Sequence, residues 1–220
     1  MNDNRLSAIA LIAGSAGLII TMAFHPTGHD FFVPGQLEHA IRINMAVHSL
    51  ALASMPISFL GALGLSLFLN SSNRLAMCAL VCYGVAEIAG MNAGICSGFV
   101  ASRMAQLSAA ATGATSDAWK LALRYTGELN QAFAPVLVVA TSVALILWSC
   151  AILRSAKGMR ALAIYGLVIG SLTIIGVSSG HVRLNVHGFG VVVLTQSIWF
   201  VLMGVRLWNA DAAKGAREGA

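Results

Sequence analysis

The stretch LNQAFAPVLVVATSVALILWSCAIL, residues 129–153, decides the fold class, because it contains no Asp, Glu, Lys or Arg along its whole length. A helix needs about 20 mostly apolar residues to cross the roughly 30 Å hydrocarbon layer of a bilayer. Inside that layer a helix satisfies its backbone hydrogen bonds within its own segment. We therefore predict that this stretch is a transmembrane helix.

The composition of the whole chain indicates the same class of protein. Of the 220 residues, 58% are hydrophobic and 10% are charged, whereas soluble domains are nearer about 45–50% apolar and about 25% charged. We predict an all-α, polytopic membrane protein, with residues 1–220 forming a single integral membrane domain. Its fold is expected to be a bundle of six transmembrane helices. These helices are predicted near residues 7–24, 45–69, 75–101, 129–153, 161–178 and 186–205.

The first span is expected to be a retained helix rather than a cleaved secretory signal. Its apolar run is longer than the usual signal core of about 7–15 residues, and Asp3 offsets the charge of Arg5. Between the third and fourth spans, residues 102–127 are expected to form an outer loop. The segment from Asp117 to Tyr125 in that loop is predicted to be a short helix at the membrane interface.

The distribution of basic residues predicts the orientation, because Lys and Arg near helix ends stay in the cytoplasm. With the N-terminus inside, eight of the 13 basic residues would be cytoplasmic. The loop that carries Arg154, Lys157 and Arg160 contributes most to this difference. We predict a multi-pass protein of the cytoplasmic (inner) membrane, with both termini cytoplasmic and residues 209–220 as a cytoplasmic tail.

The formal net charge of +5 fits the same topology, because basic residues anchor helix ends near anionic lipid. The lipid bilayer is therefore the expected partner, and no nucleic-acid partner is indicated. A homo-oligomer, or a partner in a larger membrane complex, remains open.

The histidines carry the most specific functional signal, because the predicted topology places all six on the outer face. Imidazole is the commonest ligand for several transition metals. We predict a site for haem b or for a transition metal such as Cu, Zn or Fe. No HExxH or CxxC motif is present to choose among them. The predicted metal ligands are His25, His29, His48, His181 and His187, with Asp30 and Glu128 as additional candidates.

A haem version of this site would use His48 and His187 as the two axial ligands. Arg42 and Arg183 would pair with the haem propionates, because guanidinium groups match carboxylate geometry. Electron transfer or a redox reaction would follow from haem or copper, and hydrolysis would follow from zinc. The sequence assigns no catalytic residue.

A partial repeat supports an arrangement of three helical hairpins, the first and third of them related. Both contain Gly-His, then Arg-x-Asn and a further His; the two copies begin at Gly28 and Gly180. Each of the three hairpins also places an asparagine before an inward-going span. Asn44, Asn130 and Asn185 are therefore predicted to be N-caps.

Glu87 supports a different function, because it is the only ionisable side chain near the middle of a predicted span. An intramembrane carboxyl group marks a proton, ion or substrate path. The alternative is thus a small proton- or cation-coupled transporter that uses Glu87, with Gln196 as a polar neighbour and the outer histidines as a pH-sensitive gate. A purely structural hydrogen bond between Glu87 and Gln196 is equally compatible with the sequence, as is an accessory subunit of a larger membrane complex.

Overall fold

The computed structural model describes residues 3–26, 35–70, 73–155 and 158–218, and within these ranges it contains helices and no strand. The helices are α1 (Asp3–Ala23), α2 (Leu37–Phe68), α3 (Arg74–Ile95), α4 (Ala101–Ala110), α5 (Gly113–Ser155), α6 (Arg160–Ser178) and α7 (Val186–Glu218). A π-helical turn, Cys96–Val100, joins α3 to α4 without a break.

Six helical segments of the described chain are long and apolar enough to cross a membrane, as the sequence predicts. The third of these segments is the continuous rod formed by α3, the π turn and α4. The protein is therefore a multi-pass membrane protein, and its described residues form helices and no strand. The segments are Asn4–Ala23, Leu37–Phe68, Arg74–Ala110, Gly113–Arg154, Arg160–Ser178 and Val186–Ala210.

Several helices extend well beyond their predicted ends. The expectation of an outer loop at residues 102–127 is wrong, since this stretch belongs to α4 and α5. Its Ala, Leu, Lys and Arg residues are strong helix formers even where the sequence is too polar for lipid. The chain turns only at residues 111–113, where Gly113 adopts a φ of +57° that favours glycine. In the same way α2 begins at Leu37, and α7 continues through the predicted tail to Glu218.

The spanning helices pack in a closed ring. In chain order, α1 packs on α2, α2 on α3, α3 on α5, α5 on α6 and α6 on α7, and α7 returns to contact α1. The short connections between most of these helices require antiparallel neighbours. Consequently the end of α1 lies beside the beginnings of α2 and α7, and we call this end of the bundle the histidine half. The opposite end is called the closed half.

The contact between α1 and α2 depends on small residues. A Cβ atom added to Gly14 would lie 2.7 Å from the backbone nitrogen of Ser58, and one added to Gly61 would lie 2.5 Å from that of Leu11. In lipid the helices gain no hydrophobic energy from associating with each other, so van der Waals contact between close backbones stabilises the pair.

Large side chains fill the closed half. Tyr83, Trp148, Trp199 and Phe200 form an aromatic cluster with ring centroids 5.1–6.0 Å apart. The indole N–H of Trp148 donates to Ser66 Oγ over 2.9 Å, and that of Trp199 donates to the carbonyl oxygen of Leu162 over 3.0 Å. The polar atoms of the two tryptophans are thus satisfied, as burial requires.

Replacing Gly61 with Ala should separate α1 from α2, because the new methyl group would meet the Leu11 backbone. Overpacking of this kind costs about 1–3 kcal/mol, and each kcal/mol lowers Tm by roughly 2–4 °C for a chain of this size. Thermal unfolding in detergent micelles measures the change. Gly127→Ala is the matched control, since nothing lies within 4 Å of the Cβ position there. Equal losses in the two variants would contradict the close helix contact.

Candidate functional site

A cavity of about 160 Å³ lies among α1, α2, α3, α5 and α7; we call it the central cavity. Its volume is similar to that of an engineered cavity of about 150 Å³ that holds benzene. Most of its walls are apolar, and no Lys or Arg is among the described residues that line it. Its polar lining residues are Thr21, His25, His48, Tyr83, Glu87, Ser97, Asn130, Gln131, Thr141, Asn185, Gln196 and Ser197.

We call the end of the central cavity in the histidine half its mouth and the end at the aromatic cluster its floor. His25 follows the last turn of α1 and Asn185 immediately precedes α7, so both lie at the mouth. Tyr83 and Phe200 line the cavity and also belong to the aromatic cluster. The tight packing of that cluster therefore separates the cavity from the closed half.

Glu87 lies in the wall of the central cavity and is only 7% exposed. Its Oε2 atom has no hydrogen-bond partner among the described residues. The Tyr83 hydroxyl group, one helical turn away, is close enough to interact with the carboxyl group and also lies 2.6 Å from Ser58 Oγ. An unpartnered carboxyl oxygen in such a place is costly, which singles it out among the buried groups.

Gln196 lines the same cavity but does not pair with Glu87. Its side-chain amide donates instead to Ser142 Oγ over 2.9 Å, and Ser142 in turn donates to the carbonyl oxygen of Val138. The structural Glu87–Gln196 hydrogen bond, which the sequence left as an alternative, is therefore not formed. The carboxyl group is left facing the cavity rather than a neighbouring helix.

His25 and His48 meet at the mouth of the central cavity. Their Nε2 atoms are 3.3 Å apart, and their ring centroids are 4.8 Å apart in an edge-to-face arrangement. His48 is 5% exposed, and burial lowers the pKa of His25, partly offset by its bond to the Pro26 carbonyl. The two rings thus contact each other, with His48 buried and His25 half-buried.

The hydrogen bond at the Nδ1 atom of each ring determines whether the Nε2 atom carries a proton or a lone pair. Nδ1 of His48 lies 2.8 Å from the Asn44 carbonyl oxygen, and Nδ1 of His25 lies 2.7 Å from that of Pro26. A carbonyl oxygen only accepts hydrogen bonds, so each Nδ1 must carry the proton of its neutral ring. Both Nε2 atoms then present lone pairs to each other. This arrangement is suited to holding a shared proton or a metal ion between them.

The π turn in the third span positions His48. Asn44 Nδ2 donates to the Ser97 carbonyl oxygen over 2.8 Å and to that of Gly98 over 3.3 Å. A π turn leaves such carbonyl groups without their usual helical partners. A Cβ atom on Gly98 would lie 2.6 Å from His48 Cγ, so only glycine allows the imidazole to lie against this turn.

The other residues predicted for the metal or haem site, as ligands or as partners of the haem propionates, do not complete this pair within the described ranges. The side chains of His181, His187, Glu128, Arg42 and Arg183 are exposed, and His181 Nδ1 lies 2.8 Å from Ser179 Oγ. Within the described ranges, no three His, Cys, Asp or Glu side chains lie close enough together to hold a metal ion. His29 and Asp30 fall outside those ranges.

The asparagines have different roles from one another. Asn185 accepts a hydrogen bond from the Gly188 N–H over 2.9 Å, which confirms its predicted capping role. The corresponding predictions for Asn44 and Asn130 are wrong, because α2 and α5 begin well before them. Sequence reasoning missed the function of Asn44, since no local signal in the chain marks the π turn that it contacts.

Replacing Asn44 with Ala should destabilise the protein, because the Ser97 carbonyl group would lose its donor. The expected loss is about 1–3 kcal/mol, the cost of an unsatisfied buried polar group, read from Tm in detergent. Asn92→Ala is the matched control, since Asn92 is exposed and its amide bonds only to Ile88 of its own helix. A loss no greater than that of the control would contradict the structural role of Asn44.

The central cavity, with Glu87 in its wall and two histidines at its mouth, is the candidate functional site. No protein-family model, no curated protein and no solved structure matches the chain. The chemistry of the cavity residues is therefore the basis for assigning a function.

Proposed function

We propose that the protein is a small proton- or cation-coupled transporter. It takes up a small solute from the mouth of the central cavity and uses Glu87 as its ion-binding residue. The observation that carries this proposal is the Glu87 carboxyl group, which is buried within the third candidate membrane span and has an unpartnered oxygen beside a cavity. Ionisable residues inside membranes are rare and mark ion or proton paths.

Glu87 would couple the binding of a proton to the binding of a cation, because either one compensates the negative charge of its carboxylate. Burying an isolated carboxylate is expensive, and the cost falls when the group is protonated or paired with a cation. A proton and a cation would then occupy the site in alternation. Tyr83, which is also bonded to Ser58, would keep the carboxyl group oriented in both states.

The histidine pair would act as a gate for protons at the mouth. A proton placed between the two Nε2 atoms, 3.3 Å apart, forms an N–H···N hydrogen bond and holds α2 against the end of α1. Loss of that proton leaves two lone pairs facing each other, which favours separation of the rings. The state of the pair would thus depend on the pH at the histidine half.

The predicted repeat and orientation are part of the same proposal. Residues of the first and third hairpins, His25, His48 and Asn185, line the same cavity, which supports the proposal of a site between related repeats. The distribution of basic residues would place this mouth outside the inner membrane and both termini in the cytoplasm. A homo-oligomer or an accessory role in a larger membrane complex is compatible with these features.

A pH step applied to proteoliposomes tests the role of Glu87. We expect a transient charge displacement in the unmodified protein, because Glu87 exchanges protons through the cavity, and at least about a tenfold smaller displacement in Glu87→Gln. Electrical recording on a solid-supported membrane measures it. Glu128→Gln is the matched control, since Glu128 is exposed and does not line the cavity. No displacement in the unmodified protein would overturn the proposal.

A metal-binding function is the second candidate, and the opposed lone pairs of His25 and His48 favour it. Zinc–nitrogen bonds of about 2.0–2.1 Å, with the observed Nε2 separation of 3.3 Å, give an angle of roughly 107°, close to tetrahedral. Copper or iron would be held by the same nitrogens. A bare ion is favoured over haem b, because the Nε2 atom of His48 faces His25 while His187 is exposed.

Metal analysis of protein purified from its native membranes tests this second candidate. About one zinc or copper ion per chain is expected. His48→Gln should remove it, because the substitution takes away one of the two histidine ligands that hold the ion. His181→Gln is the control, as His181 is exposed. Metal-free protein after gentle purification would contradict the metal site. An iron signal with a Soret band would point to haem b instead.

A further inference from the structure

We infer that the solute of the central cavity is a compact organic cation, bound by Glu87 in exchange for a proton. This inference rests on the proposed transport function and names its substrate class. The charge of the lining carries the first step. Glu87 is the only carboxyl group, and no Lys or Arg is present, among the described residues around the cavity. A low-dielectric cavity of this kind attracts positive charge and repels anions.

The polarity of the walls separates an organic cation from an inorganic one. Calcium and magnesium require about six or more oxygen ligands, mostly from carboxylates and carbonyl groups, whereas Glu87 is the only carboxylate among the described lining residues and most of the wall is apolar, as at Met55, Leu137 and Val193. Stripping water from a small inorganic ion would not be compensated there. A cation that carries its own apolar groups would bury them against these walls.

Aromatic side chains add a second feature that favours a cation. Tyr83 and Phe200 line the floor with their ring centroids 5.1 Å apart, and Phe189 lines the wall. Aromatic faces attract cations, and groups of such rings recognise quaternary ammonium compounds. Glu87 lies one turn from Tyr83, so the charge and the rings act on the same part of the cavity.

The cavity volume limits the size of the ligand. A volume of about 160 Å³ corresponds to roughly the size of benzene, so a cation of about six or seven non-hydrogen atoms fits. Asn130 and Asn185 at the mouth can hydrogen-bond to one polar substituent on the ligand.

The exchange step balances in charge. Binding of one monovalent cation displaces one proton from Glu87, and the carboxylate pairs with the cation while the proton leaves through the cavity mouth. The other titratable side chains that line the cavity are Tyr83, His25 and His48. The binding step itself breaks and forms no other covalent bond.

Choline and 3,3-dimethyl-1-butanol form a matched pair of probes, because they share shape and size and differ in charge. We expect radiolabelled choline to bind the detergent-purified protein saturably, with one site per chain. Tetramethylammonium should compete with it, and 3,3-dimethyl-1-butanol at the same concentration should not. Glu87→Gln should weaken choline binding at least about tenfold, as expected for loss of a charge partner, whereas Glu128→Gln should not change it.

The outcomes separate this inference from the proposed function. If 3,3-dimethyl-1-butanol displaced choline as well as tetramethylammonium does, the inference would be overturned. The shape of the ligand, rather than its charge, would then determine binding. A pH-step charge displacement without choline or tetramethylammonium binding would also overturn it, while leaving the transport proposal in place. Binding that survives in a folded Glu87→Gln protein, with an unchanged Tm, would place the cation elsewhere.

Discussion

A polar group inside a bilayer must form its hydrogen bonds within the protein, and the rest of the structure depends on this constraint. Several Ser and Thr hydroxyl groups donate to a carbonyl oxygen of their own helix, as Thr21, Thr141 and Ser142 do. Asn44 satisfies the carbonyl groups of the π turn in a neighbouring helix. Among the described residues, the side-chain exceptions are Ser15 Oγ, Ser149 Oγ and Glu87 Oε2. The first two are hydroxyl groups, whereas a carboxyl oxygen without a partner is more expensive to bury.

The two halves of the bundle are packed differently, and Glu87 lies where a filled core gives way to a cavity. In the closed half the aromatic cluster and buried aliphatic residues form one continuous core. In the histidine half, small residues such as Gly90, Ala93 and Gly94 of α3 line a space that no large side chain fills. Glu87 lies at the boundary between these regions, next to Tyr83, which belongs to both. The cavity therefore ends at the aromatic cluster, and Glu87 and the histidine pair both line it.

The sequence predicts the membrane class and the six spanning helices because hydropathy reports directly on transfer into lipid. It also identifies Glu87, since a single charge within an apolar run is visible without any structure. It cannot predict which histidines meet, because that depends on how each helix is rotated about its axis. His48 faces His25 while His187 is exposed, although both are followed by similar apolar runs. The π turn that holds His48 was equally invisible, as the stripe of Gly94 and Gly98 is typical of ordinary helix packing.

The central claim is that water and small solutes reach Glu87 from the histidine half and do not pass the aromatic cluster. Radiolytic hydroxyl-radical footprinting of the unmodified protein tests this claim most directly, because methionine oxidation requires nearby water. Met55 lines the cavity, Met203 lies in the closed half, and both are buried. The account predicts much faster oxidation of Met55 than of Met203. Equally slow oxidation of the two methionines would contradict it.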